Sequence, residues 1–307
     1  GLEHVTGVPS FTSFQPGAMS SFGDRMSFMD RLYNWLFVYG WGWAQSISHS
    51  AIQSLFQELH PEVPPLLEVL KKSSYFFVNT EPLLDFPRLL SRKIVEIGGI
   101  ALPQKNLPLE EPLASLVDER PQTVLISFGT VALSIHMPEA FKESIRSLAR
   151  ATPNVTFIWK YEEPTHNVGQ GLANLHTLPW LPQTDLLNSG RVSAFLTHGG
   201  AGSSYEATLA GVPTLVVPIY CDQSRNGKML ERLGVGLLLP KEQLAHSGKL
   251  IEGLTELLDD PRYKKRAGEV ARMVGEQPQS VRARFVSHFE FMARFGPLDQ
   301  LDHAGRD

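Results

Sequence analysis

The chain has 307 residues, of which 42% are hydrophobic and 20% are charged, and its formal net charge is −4. At roughly 100–200 residues per domain this length predicts two domains, and the balance of residue types excludes general disorder. No basic stripe dominates, so the sequence gives no reason to expect nucleic acid as a partner.

The residues themselves carry no signal for secretion or membrane insertion. The first residues lack a basic start followed by an apolar run, and no stretch reaches the about 18 apolar residues that a membrane span needs. The aromatic-rich stretch 32–44 is shorter, and we interpret it as a buried helix rather than an interfacial one. Cys221 is the one cysteine, which excludes an intramolecular disulfide and a cysteine-cluster metal site.

Three regions follow one another along the chain. Residues 1–98 mix helical patterns with one predicted strand, 75–79. Residues 99–121 are rich in proline and acidic side chains, which indicates an exposed linker. Over 122–280, short β-branched strands alternate with helices, which predicts βαβ units and a parallel sheet with helices on both faces. A last helix with a tail occupies 281–307.

The turn after the predicted strand 192–197 has the composition of an anion site. Ligands of doubly wound sheets bind beyond the carboxyl ends of the strands. Gly199, Gly200 and Gly202 let backbone N–H groups approach a ligand closely. Ser203 and Ser204 are predicted to cap the helix that begins there, and a helix N-terminus suits a diphosphate.

Two side chains near this turn can supply further contacts. His198 lies at the strand end, where it can donate to a phosphate oxygen. Glu206 lies one turn into the helix, where a carboxylate can accept hydrogen bonds from ribose hydroxyls. The structural alternative is a plain strand-to-helix turn that holds no ligand.

Three other segments carry weaker signals, each with a structural alternative. Asp222 and Gln223 place a carboxylate beside an amide, a pair that can grip adjacent sugar hydroxyls or simply begin a helix. Trp180, flanked by prolines, is a rigid platform for a base or a core tryptophan. Thr130 ends the segment 127–130 with a hydroxyl, which is a phosphate contact or part of an ordinary turn.

Together these segments resemble the signature of the UDP-glycosyltransferase family, which includes UDP-glucuronosyl- and UDP-glucosyltransferases of animals and plants. The signature runs without a gap from Trp180 to Asn226. The stretches 26–34 and 75–82 and the closing helix are similar to the animal members. The resemblance implies an α/β fold of the GT-B type, with two Rossmann-like domains facing across a cleft. Residues 1–98 would be the rear part of an incomplete acceptor-binding domain.

The resemblance also implies the residues of a UDP-sugar site in which the UDP-sugar is a co-substrate, with no cofactor and no metal. Trp180 would stack on uracil, Gln183 would lie near the ribose, and Glu206 would take the ribose hydroxyls. The complete implied set is Thr130, Trp180, Gln183, His198, Gly200, Gly202, Ser203, Glu206, Asp222, Gln223 and Asn226.

The remaining members of this set would hold the diphosphate and the sugar. His198 and the backbone from Gly200 to Ser203 would bind the diphosphate, assisted by Thr130. Asp222 and Gln223 would read the transferred sugar, with Asn226 nearby. Many family members have asparagine where this chain has Gly202, which removes a side-chain contact to phosphate.

No catalytic residue is predicted in this chain. In the family, a histidine near the start of the acceptor domain, oriented by an aspartate, deprotonates the acceptor hydroxyl as it attacks the anomeric carbon with inversion. His4, His49 and His60 do not match that position. We therefore interpret the chain as lacking the front of the acceptor domain and a C-terminal membrane helix.

These observations lead to three functional hypotheses. The first is an inverting transferase that moves a hexose or hexuronic acid from UDP-glucose or UDP-glucuronate to a hydroxyl of a small lipophilic acceptor. The second is a catalytically incomplete fragment that binds a UDP-sugar, and the weakest is a nucleotide-sugar epimerase or hydrolase. No obvious arginine would meet a hexuronate carboxylate, which favours glucose. The parent protein is expected in the endoplasmic reticulum membrane, on the luminal side.

Overall fold

The computed structural model describes residues 8–103 and 107–302. The chain divides into two compact units: Gly1–Ile100 with Pro278–Asp307, and Ala101–Gln277. The helices are α1 Phe28–Leu59, α2 Leu66–Lys71, α3 Leu113–Leu116, α4 Glu139–Ala151, α5 Gln183–Asn188, α6 Ala201–Leu209, α7 Gln223–Leu233, α8 Ser247–Asp259, α9 Pro261–Gly275 and α10 Val281–Phe295. The strands are β1 Phe76–Val78, β2 Ile94–Glu96, β3 Gln122–Ser127, β4 Val155–Lys160, β5 Leu175–Leu178, β6 Val192–Thr197, β7 Thr214–Val216 and β8 Gly236–Leu238. Short 3₁₀ helices lie at Ser134–His136, Pro164–His166, Lys241–Ala245 and Asp299–Leu301.

In the first unit, the last helix of the chain packs against a small parallel sheet. β1 and β2 pair with Phe77 opposite Val95. Arg284 of α10 donates from Nη1 to the carbonyl oxygen of Glu96 at 2.9 Å, and the ring of Phe285 lies 4.8 Å from that of Phe77. Helix α10 is therefore a structural part of this unit, although it comes last in the sequence.

Helix α1 overturns the prediction of a buried aromatic helix. The helix runs from Phe28 to Leu59, and Asn34 is the one buried residue in this fully described element. Trp35, Tyr39 and Trp43 are 48%, 57% and 70% exposed. Apolar side chains occur on all sides of α1, so one core cannot cover them. Among the described residues, no helix combines the length and the apolar character that crossing a bilayer requires.

The second unit is built on six parallel strands in the order β5-β4-β3-β6-β7-β8. Counted from β3, this is the doubly wound order 3-2-1-4-5-6, which reverses direction between β3 and β6. Ser127 and Thr197, the last residues of these two strands, are partners in the register. The segments that follow β3 and β6 therefore leave the sheet side by side, where such folds bind their ligands.

Both faces of this sheet are covered, as the sequence predicts. Val124 and Ile126 point into a layer with α4 and α8, whereas Leu125 points into the opposite layer with α5 and α6. The segment 99–121 differs from the exposed linker that we predicted. Its apolar residues Leu113 and Val117 are buried beside Leu125, so α3 covers part of the sheet.

Candidate functional site

An open cavity of about 490 Å³ lies at the carboxyl ends of the strands of the second unit. Its walls come from the segments that follow β3, β5, β6 and β7 and from Lys160 at the end of β4. The predicted site residues that line it are Thr130, Trp180, Gln183, His198, Gly200, Gly202, Ser203 and Glu206. Asp222, Gln223 and Asn226 do not belong to this lining. The fold thus gathers most of the predicted set around one space.

Helix α6 presents its N-terminus at the cavity wall. Gly199, with a φ of 81°, turns the chain after β6, and Gly200 occupies the N-cap position. No side chain in the described part of the chain caps this helix. The predicted serine caps are wrong, because α6 begins at Ala201 and Ser203 and Ser204 lie inside its first turn. The first N–H groups and the positive end of the helix dipole are therefore available to an anion.

His198 fills the space beside two glycines of this wall. A Cβ on Gly129 would lie 2.8 Å from Cε1 of His198, and a Cβ on Gly200 would lie 2.6 Å from Nε2. Thr197 Oγ1 lies 3.3 Å from Nδ1 of the ring. Glycine is needed at both flanking positions because the imidazole occupies the volume that a side chain would take.

The imidazole of His198 is shifted toward its neutral form. Burial lowers its pKa below the ordinary value of 6.5, and the carboxylate of Asp222 opposes this by raising the pKa. The neutral imidazole therefore predominates near pH 7. It can donate one N–H to a phosphate oxygen in addition to the N–H groups of α6.

We expect Asp222→Asn to lower the pKa of His198 further, because the substitution removes the charge that favours protonation. Histidine-resolved NMR titration measures this shift, with exposed Asp259→Asn as the control. The pKa of His198 is lower in the folded state than in the unfolded chain. Neutral His198 therefore contributes folding stability that is fully present above about pH 6.5 and is lost as the pH falls through the folded-state pKa. In Asp222→Asn this loss of folding stability should continue to lower pH. A rise in the pKa of His198 in this variant would contradict the charge effect assigned to Asp222.

Trp180 lines the cavity from the segment that follows β5. Its side chain is 67% exposed, so it is not the core tryptophan of the structural alternative. An exposed, proline-flanked indole is suited to stacking on a planar base. Its ring has one charged neighbour that we did not predict from the sequence: the ammonium group of Lys160 lies 5.7 Å from the ring centroid. A lysine at the end of a buried parallel strand was the signal that could have indicated it.

Glu206 is held by two side chains of the segment after β5. Gln183 Nε2 donates to one carboxylate oxygen of Glu206 and, at 3.1 Å, to Ser203 Oγ. Thr184 Oγ1 donates to the other carboxylate oxygen at 3.0 Å. Thr184 also lines the cavity and was not predicted. Each carboxylate oxygen has a second lone pair, so Glu206 can still accept hydrogen bonds from a ligand.

Asp222, Gln223 and Asn226 follow β7 and support the cavity from behind its lining. Gln223 is buried, and its Oε1 accepts from the backbone N–H groups of Ile219 and Tyr220 at 2.7 and 2.9 Å. Asn226 donates from Nδ2 to the carbonyl oxygen of Gly199 at 2.9 Å and to Asp222 Oδ2 at 3.0 Å. These bonds fix the loop after β7 and the glycine turn after β6.

The sheet order, with the cavity at its switch point, defines a Rossmann-like unit. Solved glycosyltransferases share this fold. The glycotransferase of kitacinnamycin aligns with a TM-score of 0.61 at 19% identity over 80% of this chain and 62% of its own. UDP-glucose: anthocyanidin 3-O-glucosyltransferase in complex with UDP aligns with a TM-score of 0.54 at 21% identity over 66% and 48%. The predicted GT-B class of fold is confirmed.

Residues 2–306 match the profile of the UDP-glucuronosyl and UDP-glucosyl transferases, and the chain belongs to that family. The putative UDP-glucuronosyltransferase ugt-56 of Caenorhabditis elegans is 36% identical over 78% of this chain. That alignment covers 46% of the nematode protein, so the chain spans about half the length of this relative. In the described part of the chain, no cluster of histidine, cysteine, aspartate and glutamate could hold a metal ion.

Proposed function

We propose that the second unit binds the UDP part of a UDP-sugar and that the protein is an inverting glycosyltransferase. It would transfer a hexose or hexuronic acid to a hydroxyl of a small lipophilic acceptor. The observation that carries this proposal is the placement of three different groups around one cavity: the exposed indole of Trp180, the carboxylate of Glu206, and the N-terminus of α6 beside His198. These groups match a base, a ribose and a diphosphate.

The roles follow from the chemistry of each group. The indole would stack on uracil, because every base offers a π-face to an aromatic ring. Glu206 would accept from ribose hydroxyls with the lone pairs that Gln183 and Thr184 leave available. The N–H groups of α6 and the imidazole of His198 would stabilise the negative charge that develops on UDP as it leaves. A UDP-sugar is then a co-substrate, and this mode of charge stabilisation uses neither a metal nor another cofactor.

The sugar itself would reach toward the loop after β7. Asp222 is proposed to recognise its hydroxyls, with Asn226 setting the position of Asp222 by the hydrogen bond described above. Gln223, which is buried behind the lining, is proposed to serve the sugar site by fixing the backbone at Ile219 and Tyr220 instead of by the direct contact that the family resemblance implies. UDP-glucose and UDP-glucuronate are the two candidate donors. The parent protein is proposed to reside in the endoplasmic reticulum membrane with this unit on the luminal side.

The first test asks whether Glu206 binds the ribose hydroxyls of UDP. We expect Glu206→Gln to raise the Kd for UDP about tenfold, because one carboxylate acceptor becomes an amide donor. The Kd for 2′,3′-dideoxy-UDP should change little, since that ligand lacks the hydroxyls. Isothermal titration calorimetry measures both, and exposed Glu242→Gln is the matched control. An equal loss for both ligands would contradict the ribose assignment.

Turnover separates transfer from the other functional hypotheses. The 307-residue chain is incubated with UDP-glucose or UDP-glucuronate and a phenolic acceptor. A β-linked glycoside is the expected product if this chain alone is a transferase. Bound donor without product supports the binding-fragment hypothesis. NMR of the sugar product identifies epimerisation or hydrolysis instead.

A further inference from the structure

Lys160 lines the cavity between the segment that carries Trp180 and the turn at Gly129. It is the last residue of β4, and in the sheet β4 lies between β3 and β5. Its partner in β5 is Leu178, which precedes the Trp180 segment. The carboxyl end of β3 on the other side leads into the turn at Gly129. The strand order alone therefore places Lys160 between the tryptophan and the glycine turn.

The ammonium group is fixed by contacts on both sides. Lys160 is buried, with 6% of its surface exposed, although it carries a charge. Its Nζ donates to the carbonyl oxygen of Gly129 at 2.9 Å and to Glu162 Oε1 at 3.0 Å. The other carboxylate oxygen of Glu162 accepts from the backbone N–H of Ile135 at 3.2 Å, so the anion is itself held in place. Burying a lysine is costly, and these partners compensate for that cost.

Nζ of Lys160 also lies 5.7 Å from the centroid of the Trp180 ring. A cation at this distance over an indole face is attracted by the ring quadrupole. The Trp180 side chain is 67% exposed, so packing covers only a minor part of it. A cation fixed on one side of the ring therefore restricts the indole and leaves the opposite face for a base.

We infer that Lys160 is a positioning residue of the uracil platform: it acts on UDP through Trp180 by ordering the indole before the base arrives. The inference rests on the proposed function, because it concerns the organisation of the same cavity. A side chain that is already ordered in the free protein loses less conformational entropy when the ligand binds, and the affinity for the ligand is correspondingly higher. Lys160 is then distinct from a residue that attracts the diphosphate by its charge, because its charge is paired with Glu162.

The test compares Lys160→Met, Lys160→Arg and Lys142→Met in the complete 307-residue chain, with UDP and uridine as the probes. Lys142 is a matched control: it is also buried, its Nζ donates to the carbonyl oxygen of Ile135 at 3.2 Å and lies 5.6 Å from the ring centroid of Tyr161, and it does not line the cavity. Thermal unfolding of each variant reports the structural cost separately from affinity.

We expect Lys160→Met to raise the Kd for UDP and for uridine by the same factor, about fivefold. Lys160→Arg should recover most of the affinity, since it keeps a cation over the ring. Lys142→Met should leave both Kd values unchanged. In a Trp180→Ala background, Lys160→Met should cause no further loss of UDP affinity, because the residue through which it acts is absent.

Several results would overturn the inference. A loss for UDP with none for uridine would make Lys160 a charge partner of the diphosphate. A loss that persists in the Trp180→Ala background would show that Lys160 acts on something other than the indole. Unchanged affinity in Lys160→Met, with Trp180→Ala impaired, would also contradict it while leaving the proposed function intact. Failure of the wild-type chain to bind UDP would instead refute the proposed function.

Discussion

Replacing Trp180 by alanine is expected to weaken UDP binding by about 5- to 150-fold. Stacking of a base on an aromatic side chain contributes about 1–3 kcal/mol by alanine substitution, and this range of affinities follows from it. The indole is 67% exposed, so its removal leaves no cavity in the core and the loss of affinity should not arise from unfolding. Calorimetric titration with UDP measures the effect directly.

Two controls sharpen this expectation. Trp180→Phe keeps an aromatic face and should retain most of the affinity. Trp43→Ala removes a tryptophan of α1 that is 70% exposed and does not line the cavity, so it should leave UDP binding unchanged. Equal UDP affinity in Trp180→Ala and the wild-type chain would remove Trp180 from the site.

The second large effect is expected from Gly200→Ala. The added Cβ would lie 2.6 Å from Nε2 of His198, closer than real side chains approach, so the imidazole must move. Overpacking of this kind costs about 1–3 kcal/mol of folding stability. The displaced ring and the methyl group both obstruct the N-terminus of α6, so UDP affinity should fall by more than about tenfold.

Gly202→Ala provides the matched comparison within the same turn. A Cβ at Gly202 would meet no atom within 4 Å, and the residue lies inside the first turn of α6. Alanine in a helix is more favourable than glycine by about 0.5–1 kcal/mol, so this variant should be more stable than the wild-type chain and keep its UDP affinity. Chemical denaturation and calorimetry measure the two properties. Similar behaviour of the two variants would refute the steric role assigned to Gly200.

The open space at Gly202 also bears on the departure from the family pattern noted in the sequence. A Cβ at this position has open space around it. Contact at Cβ therefore does not require glycine here. Backbone N–H groups remain the available donors on this part of the wall.

The architecture of the second unit and most of the cavity lining were predictable from the order of residues along the chain. The continuous apolar run of β3 and the helical spacing of apolar residues in α4 are local patterns, which a parallel strand buried on both faces and an amphipathic helix each produce. The glycines of the turn after β6 were predicted as an approach for backbone N–H groups, whereas the contact of the His198 ring with Gly129 and Gly200 was found only in the structure. The resemblance carried by the run from Trp180 to Asn226 gave the family, which the comparisons confirm.

Which side chains share the cavity, and which lie outside its lining, depends on how distant parts of the chain meet in the fold. Lys160 ends β4, far in sequence from Gly129 and Trp180, and it meets both because the strand order sets β4 between β3 and β5. Gln223 and Asn226 match the family signature, yet their hydrogen bonds to backbone groups leave them behind the lining. The exposure of α1 was likewise hidden, because a pattern that is apolar on all sides does not specify what covers it. Strand order and burial are non-local properties, and local periodicity does not fix them.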